Sequence, residues 1–400
     1  MTATTWARQN LFRNRRDAIT TVAAGVVVGW LLLRTVRFVV VTGRWDVVRE
    51  NLTLFLVGRY PTDELWRVVV ALAAVAATGG LIAGQLARRR RQAAGAAGEP
   101  LPEQSLTGRA VDVLGRYWPL LVVVLLLLLL ARTATPWLVA ALVVGAAVVG
   151  RLLGGLLPTP VGRVLFGVPF VLPLALLPFL TGPLGWDSWG GLMLTLLLAS
   201  VSMIACFPLG VLLALGRRSS FPAIRAVSVA IIEFFRGVPL VVLVLMSDVA
   251  LGFFFPRDVL PGVVVRVIIA FTIFTAAYVA EIVRGGLQSV PRGQTEAAQA
   301  VGLSPVRITA LIVLPQALRN VIPALVGQFI SLFKDTTLVF IIGFLDVLTV
   351  ADAVTKQPGF RGQGLIAETL VFAALLFWVG AYTLSRESQR LERRLGVGNR

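Results

Sequence analysis

Residues 262–283 read GVVVRVIIAFTIFTAAYVAEIV, an almost uninterrupted apolar run. An α-helix needs about 20 apolar residues to cross the hydrocarbon core of a bilayer, so this run predicts a transmembrane helix. Similar runs lie on both sides of it along the chain. We predict ten spans, at 18–41, 67–87, 117–132, 136–156, 164–181, 189–215, 226–250, 262–283, 320–346 and 364–384.

The composition points to the same class of protein. The 400 residues are 57% hydrophobic and only 14% charged, which leaves too few charged side chains to cover soluble domains. We therefore expect an all-α, polytopic transmembrane helical bundle of about ten spans. Histidine is absent and Cys206 is the single cysteine, so an intrachain disulfide and a Cys/His metal site are excluded and no metal site is predicted. Cys206 lies in an apolar run and is predicted to be a small packing residue.

The basic residues predict the orientation, because Lys and Arg collect on the cytoplasmic side of a membrane protein. With the N-terminus inside, the cytoplasmic segments are 1–17, 88–116, 151–163, 216–225, 284–319 and 385–400, and they hold 24 of the 37 basic residues. Both termini are then cytoplasmic. The net charge of +17 is thus assigned to the membrane surface and not to nucleic acid. The outer loop 42–66 fits least well, since it carries Arg44, Arg49 and Arg59.

A cytoplasmic linker is predicted near 88–116. The four arginines at 88–91 anchor the topology or, alternatively, contact anionic membrane lipid. Residues 92–104 are rich in Ala, Gly, Pro and Glu, a composition typical of a flexible linker.

The segment that follows 262–283 is a long cytoplasmic loop, which contains PRGQTEAAQAVGLSPVRITALIVLP at 291–315. Thr295 is predicted to cap a short helix that begins at Glu296. Gly302 suits the position that ends this helix.

A second short helix is predicted after the glycine. Ser304 would cap it, with Pro305 at its first position. Pro315 would end it, and Pro323 would start the next span. A loop of this length is unusual between neighbouring helices. It predicts a rigid docking surface for a cytoplasmic partner, or an amphipathic segment that lies on the membrane.

This loop resembles the EAA motif of ABC importer permeases. The residues that carry the resemblance are Glu296, Ala297, Ala298, Gly302, Leu303 and Pro315. The resemblance implies that the loop is a coupling helix, which sits in a cleft of a cytoplasmic ATPase and passes its closure on to the spans.

Other stretches resemble the polar amino-acid branch of these permeases. They are GGLMLTL at 190–196, FFRGVP at 234–239 and LFKDTTL at 332–338, where Thr337 replaces the more familiar serine. The stretch NLTLFLVGRYP at 51–61, with LWR at 65–67, resembles the longer permeases of general L-amino-acid importers. The resemblance implies an N-terminal membrane extension of about five helices over 1–185 and a five-helix ABC importer permease core over 186–400, with the coupling loop at 284–319.

Charged residues within spans are candidates for a substrate pathway, because an ionisable group at mid-bilayer is costly unless it is paired, hydrated or functional. Glu233 and Arg236 can pair at i,i+3, either as a self-satisfied pair at a kink or as a polar pathway lining. Lys334 and Asp335 cannot face each other and need partners elsewhere, which favours the bundle interior. They would bind substrate charges or tie helices together, and Thr336 lies beside them.

Four further charged residues are predicted to lie at the ends of spans. Asp248 and Asp346 fall near outer ends, and Glu281 and Arg284 near an inner end. Such interfacial positions require no special partner.

The chain has no catalytic set of its own. No Gly-x-x-x-x-Gly-Lys-Ser/Thr phosphate loop occurs in it, and without histidine no Ser/His or Cys/His set is available. We therefore predict no catalytic residue and no cofactor bound by this chain, with ATP and Mg²⁺ held by a partner ATPase.

The resemblance implies the transmembrane permease subunit of an ATP-driven, binding-protein-dependent importer of polar L-amino acids in a bacterial inner membrane. The implied partners are a cytoplasmic ABC ATPase dimer, a second homologous permease or another copy of this chain, and an extracytoplasmic amino-acid-binding protein at loops such as 251–261 and 347–363. Related amines or opines are alternative substrates. An ion-gradient-driven secondary transporter is the alternative from another class, and a scaffold without transport is a third.

Overall fold

A computed structural model describes residues 3–96, 106–130, 135–158, 164–165, 167–182, 185, 188–250, 253, 256 and 260–396. Within these ranges the chain is built from helices and the turns between them. The α-helices are α1 Ala3–Asn10, α2 Arg15–Arg37, α3 Asp46–Glu50, α4 Leu52–Val57, α5 Leu65–Ala96, α6 Leu106–Leu130, α7 Thr135–Leu156, α8 Val168–Thr181, α9 Gly191–Arg217, α10 Pro222–Gly237, α11 Leu240–Val249, α12 Val263–Ser289, α13 Arg292–Ala300, α14 Pro305–Arg307, α15 Leu314–Asp335, α16 Val347–Ala353 and α17 Ile366–Leu395. The all-α expectation is confirmed for the described residues.

Seven helical segments in the described part of the chain are long and apolar enough to cross a membrane. They are Arg15–Thr42, Thr62–Ala96, Thr135–Leu156, Gly191–Arg217, Val263–Ser289, Pro305–Ile342 and Ile366–Arg393. The helices α10 and α11 pass the same test only as a pair, which is bent by 102°. Shorter apolar helices lie at Trp118–Leu130 and Val171–Thr181. The described residues thus contain seven helices of spanning length, or eight with the bent pair counted as one, and the predicted number of ten is not confirmed. The span predicted as continuous over 226–250 is broken at 238–239.

The predicted linker at 92–104 is wrong in its first part. Helix α5 runs without a break through the four arginines at 88–91 to Ala96. The local sequence RRRRQAA at 88–94 consists of strong helix formers, so the helix continues beyond the apolar stretch. The rest of the predicted linker, 97–104, lies outside the described residues.

Helices α5 and α7 touch through their backbones. A Cβ atom on Gly80 would lie 2.1 Å from the carbonyl oxygen of Ala147, and one on Gly84 would lie 2.2 Å from that of Arg151. Gly150 and Gly154 of α7 are equally close to carbonyl oxygens of α5. Glycines spaced by four residues on both helices permit this approach, as in other pairs of membrane helices.

Substituting leucine for Gly80 is expected to separate α5 from α7 and to lower the yield of folded protein. The side chain would have to displace backbone, and such overpacking typically costs about 1–3 kcal/mol. The matched control is Gly79→Leu on the next residue, whose Cβ position has no atom within 4 Å. Size-exclusion chromatography of both variants in detergent measures the effect. Equal yields of monodisperse protein would contradict the close pairing.

The C-terminal helices form a second packed group. Helices α9 and α12 are in close contact, since a Cβ atom on Gly210 would lie 2.5 Å from Cγ1 of Val279. Helix α15 packs on α12, where a Cβ atom on Gly286 would lie 2.6 Å from the carbonyl oxygen of Ala317. Helix α17 packs on α15 in turn. This group positions the loop between α12 and α15.

The predicted outer loop 42–66 is not a simple connection. It folds into α3 and α4, whose side chains Val47, Val48 and Phe55 are fully buried. They belong to the same hydrophobic cluster as Val350 of α16 and Phe372 of α17. One core therefore contains residues from both ends of the chain.

Polar contacts also fasten this segment. The Arg44 amide donates to Oε1 of Glu368 at 3.1 Å, and Nε2 of Gln357 donates to Oδ1 of Asn51 at 2.8 Å. The first bond joins the residue before α3 to α17. The second joins the start of α4 to the loop after α16.

Candidate coupling loop and charged pathway residues

The first helix of the coupling loop, α13, begins four residues earlier than predicted. It starts at Arg292 with Pro291 as its N-cap, and the Gln294 amide donates to the Pro291 carbonyl at 3.1 Å. Thr295 and Glu296 lie inside the helix, so the predicted cap at Thr295 is wrong. Pro291 already fixes a turn at the end of α12, and the residues after it have sufficient helix propensity to continue.

Gly302 ends α13 as predicted. Its φ is +79°, which is a left-handed conformation. The Gly302 amide donates to Gln299 at 2.9 Å and the Leu303 amide donates to Ala298 at 3.2 Å. This pair of bonds is a Schellman motif, which satisfies the last carbonyl groups of the helix and fixes the direction of the chain after it.

The second half of the loop differs from the prediction. Ser304 and Pro305 occupy the N-cap and first helical positions, but the Ser304 side chain makes no capping hydrogen bond. The helix does not end at Pro315. It passes through a π-helical stretch, Ile308–Val313, and continues as α15, which also contains Pro323. Proline clashes with the carbonyl four residues before it, and that residue, Leu311, lies in the wider π-helical stretch.

The loop is attached firmly to the spans. Gln316 of α15 donates to Gln294 of α13 at 3.2 Å, and Asn320 donates to Ser289 at the end of α12 at 2.9 Å. Ala298 is buried, whereas Glu296 and Ala297 are exposed.

The turn between α13 and α15 presents an apolar tip. Val301 is 76% exposed and Val306 is 78% exposed. Gly302 and Pro315 are exposed as well, and Leu303 is half-buried. We call α13 and the turn at Gly302 the elbow. Its uncovered apolar tip is suited to docking into another protein.

The predicted pair of Glu233 and Arg236 is part of a larger network. Their closest atoms are 3.8 Å apart, and Glu233 is bound more closely by Arg217, at 2.8 Å. The single N–H of Arg284 Nε is shared between both carboxylate oxygens of Glu281, at 2.9 Å from each. Glu281 and Arg284 were predicted to lie at the interface without a special partner, and Arg217 was not predicted to take part. Positions 217, 233 and 281 are too far apart along the chain for any helical period to connect them.

The three other pathway candidates, Lys334, Asp335 and Thr336, differ in how far they are buried. Lys334 is exposed on the surface of this chain, Asp335 is half-buried and Thr336 is fully buried. The hydroxyl of Thr336 donates to the Phe333 carbonyl at 2.7 Å. The prediction that Lys334 lies in the interior of this bundle is wrong, because it sits on an outward face of the last turn of α15.

Two buried charges were missed or misplaced by sequence reasoning. Arg266 is 7% exposed and donates to the Ser247 carbonyl at 3.0 Å, and its guanidinium lies 3.5 Å from the Asp248 carboxylate. Asp346 is fully buried and caps α16 by accepting from the amides of Leu348 at 3.1 Å and Thr349 at 2.9 Å. Asp346 is therefore a buried helix cap with partners of its own. The sequence did contain a signal for this cap, because an aspartate directly before the first residues of a helix is a typical N-cap.

Comparison with known proteins identifies the family to which this chain belongs. Residues 206–396 match the family described as binding-protein-dependent transport system inner membrane component. The glutamate/glutamine/aspartate/asparagine transport system permease protein BztC of Rhodobacter capsulatus is 32% identical over 98% of this chain and 93% of its own length. This chain belongs to the ABC amino-acid transporter permeases.

Two further similarities each cover a little more than half of the permease. The inner membrane amino-acid ABC transporter permease protein YhdY of Escherichia coli is 47% identical over 52% of the permease and 57% of its own length. The crystal structure of an amino acid ABC transporter with histidines is 29% identical, with a TM-score of 0.45, and the match covers 58% of the permease and 97% of that chain.

The predicted resemblance to ABC importer permeases of the amino-acid branch is confirmed. All the coupling-loop and pathway candidates of the permease fall within the matched residues 206–396. The buried segment α3–α4 lies outside that range but inside the match to BztC, which covers nearly the whole chain.

Proposed function

We propose that this permease is the membrane subunit of an ATP-driven importer that moves polar L-amino acids inward across a bacterial inner membrane. The observation that carries the proposal is the elbow of α13 and Gly302, which continues through the π-helical stretch into α15. Family membership supplies the expected setting, a permease that works with a binding protein.

The proposed arrangement has ten spans, with α10 and α11 counted as one and the two shorter apolar helices included, and both termini in the cytoplasm. A dimer of ABC ATPases docks at 284–319 and at the equivalent loop of a second permease, which is a homologous chain or another copy of this one. ATP and Mg²⁺ bind to that ATPase. A binding protein delivers the substrate at the opposite face, near 251–261 and 347–363. The core over 186–400 carries the pathway, and the extension over 1–185 supports it.

The mechanical step follows from the helix connections. Closure of the ATPase dimer pushes on α13, which is joined directly to α12 and is tied to α15 by the bond between Gln294 and Gln316. Because the Schellman turn at Gly302 is rigid, the displacement moves both spans together instead of bending the loop. The pathway then opens alternately to the two sides of the membrane.

The pathway is proposed to pass Lys334 and Asp335 on α15 and the Glu233–Arg236 pair on α10. Lys334 is exposed within the long helical segment Pro305–Ile342, and contact of a charge with lipid at the centre of a span would cost about 2.5–3.5 kcal/mol on insertion scales. A second permease or a water-filled pathway on this face removes that cost. There Lys334 is placed to attract a substrate carboxylate, and Asp335 or Glu233 a substrate ammonium group.

The substrate class rests on the relatives. The name of BztC specifies glutamate, glutamine, aspartate and asparagine, which are polar amino acids. Related amines and opines are the alternative substrates of the same mechanism.

The proposal is tested with the permease, its partner ATPase and its binding protein in lipid vesicles whose membrane potential is clamped. Uptake of labelled amino acid should require ATP on the ATPase side and should continue when ion gradients are abolished. Uptake driven by an ion gradient without ATP would contradict the proposal and support a secondary transporter.

A further inference from the structure

Five charged side chains meet where helices α9, α10 and α12 come together. Arg217 is the last residue of α9, Glu233 and Arg236 lie on α10, and Glu281 and Arg284 lie on α12. Three guanidinium groups thus share two carboxylates. All five side chains are partly exposed, from 26% for Glu281 to 53% for Glu233.

The network has one short contact between helices. Arg217 lies 2.8 Å from Glu233 and 3.6 Å from Glu281. Arg236 is 3.8 Å from Glu233 and 3.9 Å from Glu281. Its Nε atom is buried without a hydrogen-bond partner among the described residues, and its guanidinium lies 5.7 Å from the centre of the Tyr278 ring. Arg236 is therefore a guanidinium held at longer range between both carboxylates.

Each carboxylate also has an arginine three residues away on its own helix. Glu233 has Arg236 on α10, and Glu281 has Arg284 on α12. If α10 moves away from α9 and α12, both carboxylates keep a partner. Partly exposed ion pairs contribute little to stability, and neither carboxylate is left unpaired, so this network can open at a small cost.

The packing identifies α10 as the element that can move. Helices α9 and α12 are in close contact at Gly210 and Val279. Helix α10, in contrast, buries only Ser228 and Ile232. It ends at Gly237 next to Pro239, where its axis and that of α11 differ by 102°. The break at Gly237 provides a hinge at which φ and ψ can change, while Pro239 fixes the direction of the chain as α11 begins.

We propose that α10 is a hinged arm, latched onto the α9–α12 pair by Arg217 and Glu233, and that the latch opens once in every transport cycle. This inference rests on the proposed function, because Glu233 and Arg236 line the proposed pathway. Arg217 acts through Glu233 and is a positioning residue, while Arg236 and Arg284 neutralise the two carboxylates when the latch is open. Opening of the arm changes access to the pathway while α12 follows the coupling loop.

The test locks the arm with a reversible crosslink in the complete transporter in vesicles. Cys206 is first replaced by alanine, and cysteines are then introduced as Arg217→Cys with Glu233→Cys. A bis-thiosulfonate reagent links α9 to α10 by disulfides. ATP-driven uptake should fall about tenfold or more on linking, because a step that gates transport is blocked, and a reductant should restore it.

The matched control is Arg217→Cys with Glu281→Cys, which links α9 to α12. These helices remain together throughout the proposed cycle, so the rate after linking should equal the rate of the same variant before linking. Uptake that is insensitive to the 217–233 link, or equally blocked by both links, would overturn the latch. ATP-driven uptake by the unlinked starting protein is measured first, since its absence would contradict the proposed function and not the latch alone.

A charge exchange provides an independent readout. The single variants Arg217→Glu and Glu233→Arg each place like charges together and should reduce uptake about tenfold or more. The double variant restores the attraction between positions 217 and 233, but it also sets a glutamate at 217 beside Glu281 and an arginine at 233 beside Arg236. It should therefore recover only part of the lost rate. Failure of the double variant to exceed the single variants, with all three assembled to equal amounts, would refute the pairing.

Discussion

Replacing Gly302 with valine is expected to abolish ATP-driven uptake while the spans remain folded. The φ of +79° at this position costs a β-branched residue about 1–3 kcal/mol of backbone strain. The chain relieves the strain by giving up the bonds from the Gly302 and Leu303 amides to α13. The elbow then loses its fixed direction, and both docking and transmission of force fail. Co-purification of the ATPase and uptake in vesicles measure the two losses.

Two variants serve as controls for this prediction. Gly302→Asn should retain much of the activity, because asparagine tolerates the left-handed conformation better than other residues with a side chain. Gly293→Val adds the same side chain to the same loop, at a position inside α13 with no atom within 4 Å of the new Cβ, and should leave the ATPase bound. If Gly302→Val transports as well as Gly293→Val, a rigid elbow is not needed.

Replacing Phe55 with alanine is expected to destabilise the whole C-terminal core. The side chain is fully buried, and its ring lies edge-on to that of Phe372 of α17 at 5.0 Å between centroids. Removing a buried phenylalanine typically costs about 3–5 kcal/mol, which includes the energy of the cavity left behind. The midpoint of thermal unfolding in detergent should fall, and so should the amount of monodisperse protein.

Phe12→Ala is the control for this variant, since Phe12 is 47% exposed and also lies near the N-terminus. It should change the unfolding midpoint little. An unchanged midpoint for Phe55→Ala would show that α3 and α4 are an accessory segment and not part of the core.

Features that depend on local sequence could be predicted. Apolar runs of sufficient length indicated the helices, because the bilayer sets their length. Gly302 was identified as a helix end because few other residues adopt its backbone conformation. The helix boundaries around it were less predictable. Pro291 begins α13 earlier than Thr295 would, and the π-helical stretch lets the chain continue through Pro315.

Features that depend on distant residues could not be predicted. The contact between Arg217 and Glu281 joins positions 64 residues apart, and Asn51 is bonded to Gln357 across 306 residues. The exposure of Lys334 likewise depends on which side of α15 the neighbouring helices cover. In the same way, the glycines of α5 and α7 became informative only when the two helices were seen to face each other.

The side of the membrane on which the elbow lies is the most direct test of the account. Val301 is 76% exposed at the tip of the elbow, and the native Cys206 is fully buried. A Val301→Cys variant in a Cys206→Ala background can therefore be labelled selectively with a maleimide that does not cross membranes. We expect labelling in inside-out vesicles that contain the permease without its ATPase, and none in intact cells. Labelling of intact cells would place the elbow outside, where no cytoplasmic ATPase can reach it, and would contradict the coupling mechanism.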